Sequence, residues 1–313
     1  MNNQDQHSPK IAFGGRPLSV GVQTVLYNNK LAAIDRSLAS IANAKNLAIA
    51  AGVGAEVSVH YGDSSSTPCL TAQDLTDLRR RYGDYIRIEY QFFDANRGSG
   101  GGQNLIAKTN PADVFFLMNP DVVISPRLFE VMLDEFARPG VGIVEAKQLP
   151  IEHPKDYDIH SGETSWGTGA CTMIPATLFR QLDGYDADSF FLYCDDVDLS
   201  WRARLAGFKV IFQPAAVAFH DKRLDEEGAW QPSNAEKYYS AEAALLMTYK
   251  WSRPDLTDRY LEEFKQSGIE NLERAATEFE RRQNEGCLPT PIDPEHRIGE
   301  FKLGLYAEHR FPL

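Results

Sequence analysis

Two adjacent carboxylates, Asp195 and Asp196, follow an aromatic cluster in the stretch "FFLYCDDVDLSWRARLAGFKV". Apolar residues recur behind them at helical spacing, which predicts a helix that begins at this pair. One aspartate is then accounted for as an N-cap, a role that stabilises a helix by about 0.5 to 2 kcal/mol. The second has no evident structural task, and a carboxylate within reach of a hydroxyl can serve as a general base. The residues alone leave both roles open.

Another carboxylate, Asp121, closes the segment "NPD" behind the apolar strand "VFFLM". Asn, Pro and Asp all favour turns, so a strand-ending turn is one interpretation. The other is a site for a cation and a diphosphate, because one or two carboxylates and phosphate oxygens commonly hold Mg²⁺. His220 ends a later predicted strand. A lone histidine is more often structural than a ligand, so His220 by itself adds little.

The glycine-rich run "NRGSGGGQN" has the composition of a phosphate loop but not the pattern of one. Gln103 stands where G-x-G-x-x-G requires its last glycine, and no G-K-[ST] follows. Dinucleotide binding is therefore disfavoured. The simpler interpretation is that these glycines allow the backbone to approach a ligand or a neighbouring helix closely.

The elements that must position these residues alternate between strand and helix. Strands are predicted at "LSVGVQTVLY", "EVSVHYGD", "IRIEYQFF", "VFFLMNPD" and "VGIVEAKQL", with helical stretches between them. One such helix is "SPRLFEVMLDEFARPG", with Pro126 in its first turn. The alternation predicts an α/β fold with a mostly parallel central sheet flanked by helices. Polar runs follow the carboxyl ends of the strands, where such sheets bind ligands, so one shared cleft is expected.

The chain divides into three predicted parts: a tail at 1–16, the α/β domain at 17–231 and a helical C-terminal extension at 232–313. Within the extension, Ile269, Leu272, Ala276 and Phe279 share one helix face. Packing of this face against the main domain is the simpler interpretation. A homodimer formed through the C-terminal helices is the alternative.

The composition excludes several classes of protein. A net charge of -12 over 313 residues disfavours nucleic acid as a partner. No apolar run approaches the roughly 20 residues that span a bilayer, and the N-terminus is polar. We therefore expect a cytoplasmic location, with peripheral association at the inner face of a membrane still open. The four cysteines are scattered, which favours free thiols over zinc or disulfides.

In this order, the segments resemble the family 2 glycosyltransferases, which have the GT-A (nucleotide-diphospho-sugar transferase) fold. The likeness covers roughly residues 17–225. Its most specific part is "FFLYCDDVDLSWRARLAGFKV", which is similar to the family's Glu-Asp motif, F-F-x-Y-x-E-D-x-D-L-x-x-R. Shorter matches are "VLYNN", "GDSSS", "NRGSGGGQN", "NPDV" and "WGTGACTMIPATLFRQLDGYD". The resemblance implies an inverting, metal-dependent transfer of a sugar from a nucleotide donor to a hydroxyl of an acceptor.

The resemblance also implies roles for individual residues. Asp196 matches the general base, and Asp195 stands where the family usually has glutamate. Asp121 and His220 would hold a divalent cation, Mg²⁺ or Mn²⁺, as in the rhamnosyltransferase- and galactofuranosyltransferase-like branch. The residues that would bind the nucleotide-sugar donor are Tyr27, Asp63, Asn96, Gly98, Asn119 and Asp121. Trp166 and Gly169 would contact the acceptor.

Two departures from the family pattern, and one match to a branch of the family, bear on the substrate. Asn119 replaces the first acid of Asp-x-Asp, which removes one negative charge from the expected cation site. "NPD" is common among rhamnosyltransferase-like members, which favours dTDP-rhamnose as the donor over a UDP-sugar. Gly62 stands where an aspartate is frequent. The acceptor implied is a glycan or a lipid-linked saccharide.

Two alternatives belong to other functional classes. One is a non-catalytic nucleotide-sugar or polysaccharide-binding protein on the same scaffold, which would not need Asp121, Asp196 and His220 together. The other is a sugar nucleotidyltransferase, which would need a basic glycine-rich loop near the N-terminus to hold a triphosphate. The segment "AFGGRPLS" at 12–19 offers a single arginine, so this alternative is the weaker one.

Overall fold

A computed structural model describes residues 18–50, 55–151, 155–221, 226 and 231–302. The predicted tail at 1–16 and the end of the extension lie outside this part of the chain. The strands described are β1 Leu18–Leu26, β2 Ala55–Asp63, β3 Arg87–Phe92, β4 Val114–Met118, β5 Val122–Ile124, β6 Val141–Leu149, β7 Glu163–Thr164, β8 Cys171–Pro175 and β9 Lys209–His220. The helices are α1 Leu31–Ala50, α2 Ala72–Tyr82, α3 Gly98–Thr109, α4 Leu128–Glu135, α5 Ala176–Gln181, α6 Asp195–Leu205, α7 Asn234–Lys250, α8 Pro254–Lys265 and α9 Glu270–Glu285.

One mixed sheet organises the molecule. Its strands lie in the order β3-β2-β1-β4-β8-β6-β9-β5, and β7 pairs with β9. The first four strands in this order are mutually parallel, and β6 is parallel to β9. The strand β8 runs antiparallel to its neighbours β4 and β6, and β5 and β7 run antiparallel to β9. The predicted α/β fold with a mostly parallel sheet is confirmed, with antiparallel strands on one side.

The sheet is buried where the sequence is continuously apolar. All five residues of β4, "VFFLM", are buried because helices cover both faces of the sheet. The helix α4 begins at Leu128, so the prediction that Pro126 lies in its first turn is wrong. Proline at that point ends the extended segment instead, since its ring fixes φ and it has no N–H to donate.

The glycine-rich run forms part of a helix. The helix α3 begins at Gly98, so the run supplies its first turns and is not a loop in front of it. Glycine is a poor helix former, by about 1 kcal/mol per residue relative to alanine, and sequence pattern therefore hides this start. Close packing of α3 against the segment that carries the aspartates offsets this unfavourable helix propensity.

The C-terminal helices pack directly on the rest of the chain. Trp251, just after α7, meets Trp201 of α6 edge to face, with ring centroids 5.1 Å apart. Both are fully buried in a cluster that includes Ala276 and Phe279 of α9. The apolar face of α9 packs on α7 and α8 of the same extension, and its direct packing against the main domain stays a prediction. Ile269 stays exposed, and both a dimer through these helices and the domain boundary at 231 remain predictions.

Two further expectations concern membranes and thiols. None of the helices described has the length and apolarity that crossing a bilayer requires. The four cysteines are free, as predicted, with Cys171 and Cys194 buried and Cys287 exposed.

Candidate active site

His220 presents one ring nitrogen as a potential ligand. Its Nδ1 lies 2.8 Å from Oε1 of Gln148. An amide oxygen only accepts hydrogen bonds, so Nδ1 must carry the hydrogen and donate it. The Nε2 atom lies 3.4 Å from Nδ2 of Asn119 and 3.4 Å from Oδ1 of Asp121. With Nδ1 as the donor to Gln148, Nε2 is the nitrogen through which the ring could bind a metal.

The sheet places Asp121 beside this nitrogen. His220 is the last residue of β9 and pairs with Val122, the first residue of β5. The backbone N–H of Asp221 donates to the carbonyl of Asp121 at 3.1 Å. Asp121 immediately precedes β5, so the same strand pairing that ends β9 brings the carboxylate to the imidazole.

The residues at this edge fit a divalent cation. The Nε2 atom and the carboxylate oxygen are spaced so that a single ion with bonds of about 2.1 Å can touch both. No group of three or more His, Cys, Asp or Glu side chains suited to a metal occurs in the described part of the chain. Two protein ligands are sufficient where diphosphate oxygens complete the coordination.

The aspartate pair opens α6 in a different way from the one expected. Cys194 is the N-cap, with φ of 57°, and no side chain caps the helix there. The prediction that one aspartate serves as an N-cap is therefore wrong. Tyr193 and Cys194 both have positive φ, a conformation that costs a non-glycine residue about 1 to 3 kcal/mol. Two strained residues turn the chain so that both carboxylates enter the first turn of the helix.

The two carboxylates have different surroundings. Oδ2 of Asp196 accepts the N–H of Gly169 at 2.9 Å, and Oδ1 accepts that of Val197 at 2.8 Å. Burial raises the pKa of Asp196, and these hydrogen bonds offset the rise only in part. Asp195 is only 6% exposed, and burial together with the neighbouring charge raises its pKa. Asp196 is partly exposed and is better placed to meet a substrate.

A loop of four residues, 166–169, joins the histidine to the aspartate pair. The side-chain amide of Gln148 donates to the Thr168 hydroxyl while its oxygen accepts from His220. The next residue, Gly169, donates to Asp196. On the other side, the N–H of Asn119 donates to the carbonyl of Ala170 at 3.0 Å. The structure thus brings the NPD segment, His220 and the aspartate pair together around this loop.

The residues predicted to contact the donor gather at the ends of β1 and β2. Tyr27 follows β1 and is 56% exposed. The N–H of Asn28 donates to the Ser65 hydroxyl at 2.8 Å, which ties the end of β1 to the segment after β2. Asn96 is exposed, and its Oδ1 accepts the N–H of Gly98 at 3.1 Å. The segments that follow β1, β2 and β3 lie at one edge of the sheet, as the sequence predicted.

Asp63 is turned inward at this edge. Its side chain is fully buried and accepts hydrogen bonds from the Tyr90 hydroxyl at 2.5 Å and from the backbone of Ser65 and Cys69 at 2.9 and 2.6 Å. Burial alone would raise the pKa of Asp63, but these bonds bring it below its ordinary value. The carboxylate shapes the loop at 64–69, and its direct contact with a donor stays a prediction.

Glycines explain two features of the sheet edge at which the donor is predicted to bind. A Cβ on Gly62 would lie 2.4 Å from the ring of Phe93, so the aspartate frequent in relatives has no room here. Gly98 has φ of 67°, and a Cβ there would lie 2.4 Å from the Phe191 carbonyl. A Cβ on Gly100 would lie 3.3 Å from Oδ2 of Asp195. The glycine run lets α3 pack directly against the segment that carries the aspartates.

Sequence reasoning missed a buried ion pair beneath the loop. Lys155 and Glu145 form a salt bridge with both side chains almost wholly buried. The Lys155 ammonium also lies 4.1 Å above the ring of Trp166, and its charge lowers the pKa of Asp196. Trp166, the first residue of the loop, is 3% exposed and anchors the loop in the protein interior. Its contact with an acceptor stays a prediction. The available signal was the polar residues Glu145 and Gln148 inside a strand predicted to be buried.

Comparisons with known proteins show what the chain is similar to. The chain is 30% identical over 96 residues to the rhamnosyltransferase WbbL of Escherichia coli K12, a match that covers 31% of this chain and 34% of the relative. It is 35% identical over 57 residues, 18% of each chain, to an N-acetylglucosaminyl-diphospho-decaprenol L-rhamnosyltransferase of Mycobacterium tuberculosis. The matches thus span about a third or less of these relatives' own lengths. No family model matches the chain.

Solved structures show the same architecture over most of the chain. GalNAc-T7, in a structure with UDP, GalNAc and Mn²⁺, aligns with a TM-score of 0.59 at 12% identity and covers 88% of this chain and 55% of that one. A mannosyltransferase of Pyrobaculum calidifontis, in complex with GDP-Man and Mn²⁺, aligns with a TM-score of 0.55 at 15% identity over 87% and 83% of the two chains. The protein has the GT-A fold. Its resemblance to the family 2 glycosyltransferases, indicated by the motifs, is confirmed.

Proposed function

We propose that the protein is an inverting, cation-dependent glycosyltransferase. It transfers a sugar from a nucleotide-diphosphate donor, dTDP-rhamnose in the first place and a UDP-sugar in the second, to a hydroxyl of a glycan or lipid-linked saccharide. The names of the rhamnosyltransferases that it resembles support this donor. The Mn²⁺ in the structures of its GT-A neighbours supports the cation.

One observation carries the proposal. Two side chains that could hold a cation, Asp121 and His220, and a carboxylate with a raised pKa, Asp196, lie on two sides of the loop at 166–169. A protein that only binds nucleotide sugars needs the first feature but not the second. A transferase needs both, because the leaving diphosphate gains negative charge while the acceptor hydroxyl loses a proton.

The expected cation would be held by Asp121 and His220 and would stabilise the charge that develops on the leaving diphosphate. As the hydroxyl oxygen of the acceptor attacks the anomeric carbon, Asp196 takes up the proton of that hydroxyl. The bond from that carbon to the diphosphate breaks, and the electron pair leaves with the nucleoside diphosphate. Attack from the face opposite the leaving group inverts the anomeric configuration.

Two backbone donors keep Asp196 in place for this step. The N–H groups of Gly169 and Val197 each bind one carboxylate oxygen, which fixes the plane of the carboxylate and leaves further lone pairs for the acceptor hydroxyl. The raised pKa makes Asp196 a stronger base than an exposed aspartate. Asp195 lies deeper, near Gly100, and burial together with the charge of Asp196 raises its pKa, which favours its protonated form.

One assay separates the proposal from its two alternatives. The protein is incubated with dTDP-rhamnose or a UDP-sugar, and in parallel with a nucleoside triphosphate and a sugar phosphate, and the products are separated by chromatography. Release of nucleoside diphosphate from a nucleotide sugar supports a transferase. Binding without turnover supports a non-catalytic binding protein, and pyrophosphate release supports a nucleotidyltransferase. The glycine-containing segment at 12–19 that bears on the last case lies almost wholly outside the described residues.

A further inference from the structure

We infer that Gln148 is a positioning residue that sets the ring of His220 for the cation and ties it to the loop that holds Asp196. The inference rests on the proposed cation-dependent binding of the donor. Gln148 lies near the carboxyl end of β6 and is 1% exposed. A polar side chain buried to this degree must be satisfied by hydrogen bonds within the protein.

The first half of the inference concerns the histidine. Oε1 of Gln148 lies 2.8 Å from Nδ1 of His220, and this contact requires Nδ1 to be the protonated nitrogen. The Nε2 atom is thereby left as an acceptor beside Asp121. A histidine ligand commonly donates its other N–H to a fixed acceptor, and loss of such a partner typically weakens metal binding by about 10- to 100-fold.

The second half concerns the loop. Since Oε1 of Gln148 faces the histidine, its amide nitrogen faces the other way and donates to the Thr168 hydroxyl. The amide is thus hydrogen-bonded at both ends. The hydroxyl of Thr172 donates to the Thr168 carbonyl at 2.5 Å, and Gly169 donates to Asp196 at 2.9 Å. One side chain therefore links the histidine of the cation site to the loop that orients the base.

The substitutions that test this role come in matched pairs. Gln148→Leu removes both hydrogen-bonding ends, whereas Gln148→Glu keeps an oxygen that accepts from His220. Thr168→Val removes the hydroxyl that receives the amide, whereas Thr168→Ser keeps it. Melting temperatures of the free proteins identify variants that fail to fold, and Gln148→Glu and Thr168→Ser serve as the folded controls.

The first readout is the tautomer of His220 in the metal-free protein. Long-range proton–nitrogen NMR spectra distinguish the Nδ1–H from the Nε2–H form, and the signal is assigned by its loss in His220→Asn. We expect the Nδ1–H form in the wild-type protein and in Gln148→Glu, and a shift toward Nε2–H in Gln148→Leu. An Nε2–H ring in the wild-type protein would overturn the inference.

The second readout is calorimetric binding of dTDP in the presence of Mn²⁺. We expect Gln148→Leu to bind about 10- to 100-fold more weakly than Gln148→Glu. Thr168→Val should bind more weakly than Thr168→Ser, although neither changes a ligand. Equal affinities within both pairs would overturn the inference. If the wild-type protein binds neither dTDP nor UDP with Mn²⁺, the proposed function fails, and the NMR spectra still decide whether Gln148 sets the ring.

Discussion

At the scale of single residues, the two adjacent aspartates differ in exposure and in partners. Asp196 is partly exposed and held by two backbone N–H groups, whereas Asp195 is almost fully buried. We expect Asp196→Asn to bind the donor normally and to lose transfer by roughly a hundredfold or more, because the amide cannot take up the proton. Steady-state kinetics and calorimetric donor binding check this. An inactive Asp195→Asn beside a nearly normal Asp196→Asn would show that the two roles are exchanged.

The raised pKa of Asp195 predicts how stability changes with pH. Burial and the charge of Asp196 raise this pKa, so the folded protein keeps a proton that the unfolded chain releases earlier. The contribution of Asp195 to the free energy of unfolding is therefore complete below the ordinary aspartate pKa of about 3.9, and it is lost as the pH rises through the raised value. Asp195→Asn removes this dependence, and the variant should gain stability over the wild-type protein as pH rises.

Urea denaturation at pH values of about 5 and about 8 measures this effect. The difference in unfolding free energy between Asp195→Asn and the wild-type protein should be larger at the higher pH. A constant difference would mean that Asp195 has an ordinary pKa.

The motifs in the sequence predicted Asp196 and His220 as site residues. They did not predict the hydrogen-bond partners of these residues, Gly169 and Gln148. These partners come from distant parts of the chain, and a single sequence does not show how distant segments pair.

At the scale of elements, the glycine run decides how close α3 comes to the aspartate segment. Gly98 has φ of 67°, and a Cβ there would meet the Phe191 carbonyl at 2.4 Å. We expect Gly98→Ala to destabilise the protein by about 1 to 3 kcal/mol, since alanine is strained at positive φ and the neighbour is backbone. It should also weaken donor binding, because the Asn96 side chain accepts from this residue. Chemical denaturation and calorimetry measure the two effects.

Gly101→Ala is the matched control in the same helix. A Cβ at Gly101 would lie 3.5 Å from that of Ala187, an ordinary van der Waals distance, and its φ is not positive. Alanine is the better helix former by about 1 kcal/mol, so this variant should be as stable as the wild-type protein or more so. Equal losses in both variants would show that the run tolerates no side chain at any position.

Periodicity predicted the strands and helices well and their ends less well. The alternation of apolar strands with helical stretches gave the parallel part of the sheet from β1 to β4. The antiparallel placement of β8 between β4 and β6 was not predicted, because pairing order depends on long-range contacts. The start of α3 was missed because glycines conceal it. The start of α6 at the aspartate pair was predicted, but its cap was not, because a left-handed Cys194 and not an aspartate precedes the helix.

At the scale of the whole molecule, the C-terminal helices are joined to the aspartate helix through buried charges. Asp198 of α6 accepts from the Trp251 indole at 3.1 Å and pairs with Lys250 at 2.7 Å. It also binds Arg202 at 2.7 Å within α6. The extension therefore supports the helix that carries the proposed base. The sequence did not predict this link, because the buried charges lay hidden among many exposed ones.

The central claim is that a cation held by Asp121 and His220 recruits a nucleotide donor. The most direct test is calorimetric titration of the wild-type protein and of Asp121→Asn with dTDP-rhamnose, each with Mn²⁺, with Mg²⁺ and with a chelator. We predict binding that depends on the cation, stronger with Mn²⁺ than with Mg²⁺ because an imidazole ligand suits Mn²⁺ better. Asp121→Asn should weaken it by roughly tenfold or more. Equal affinity with Mn²⁺ and with the chelator, or an unaffected Asp121→Asn, would contradict the account.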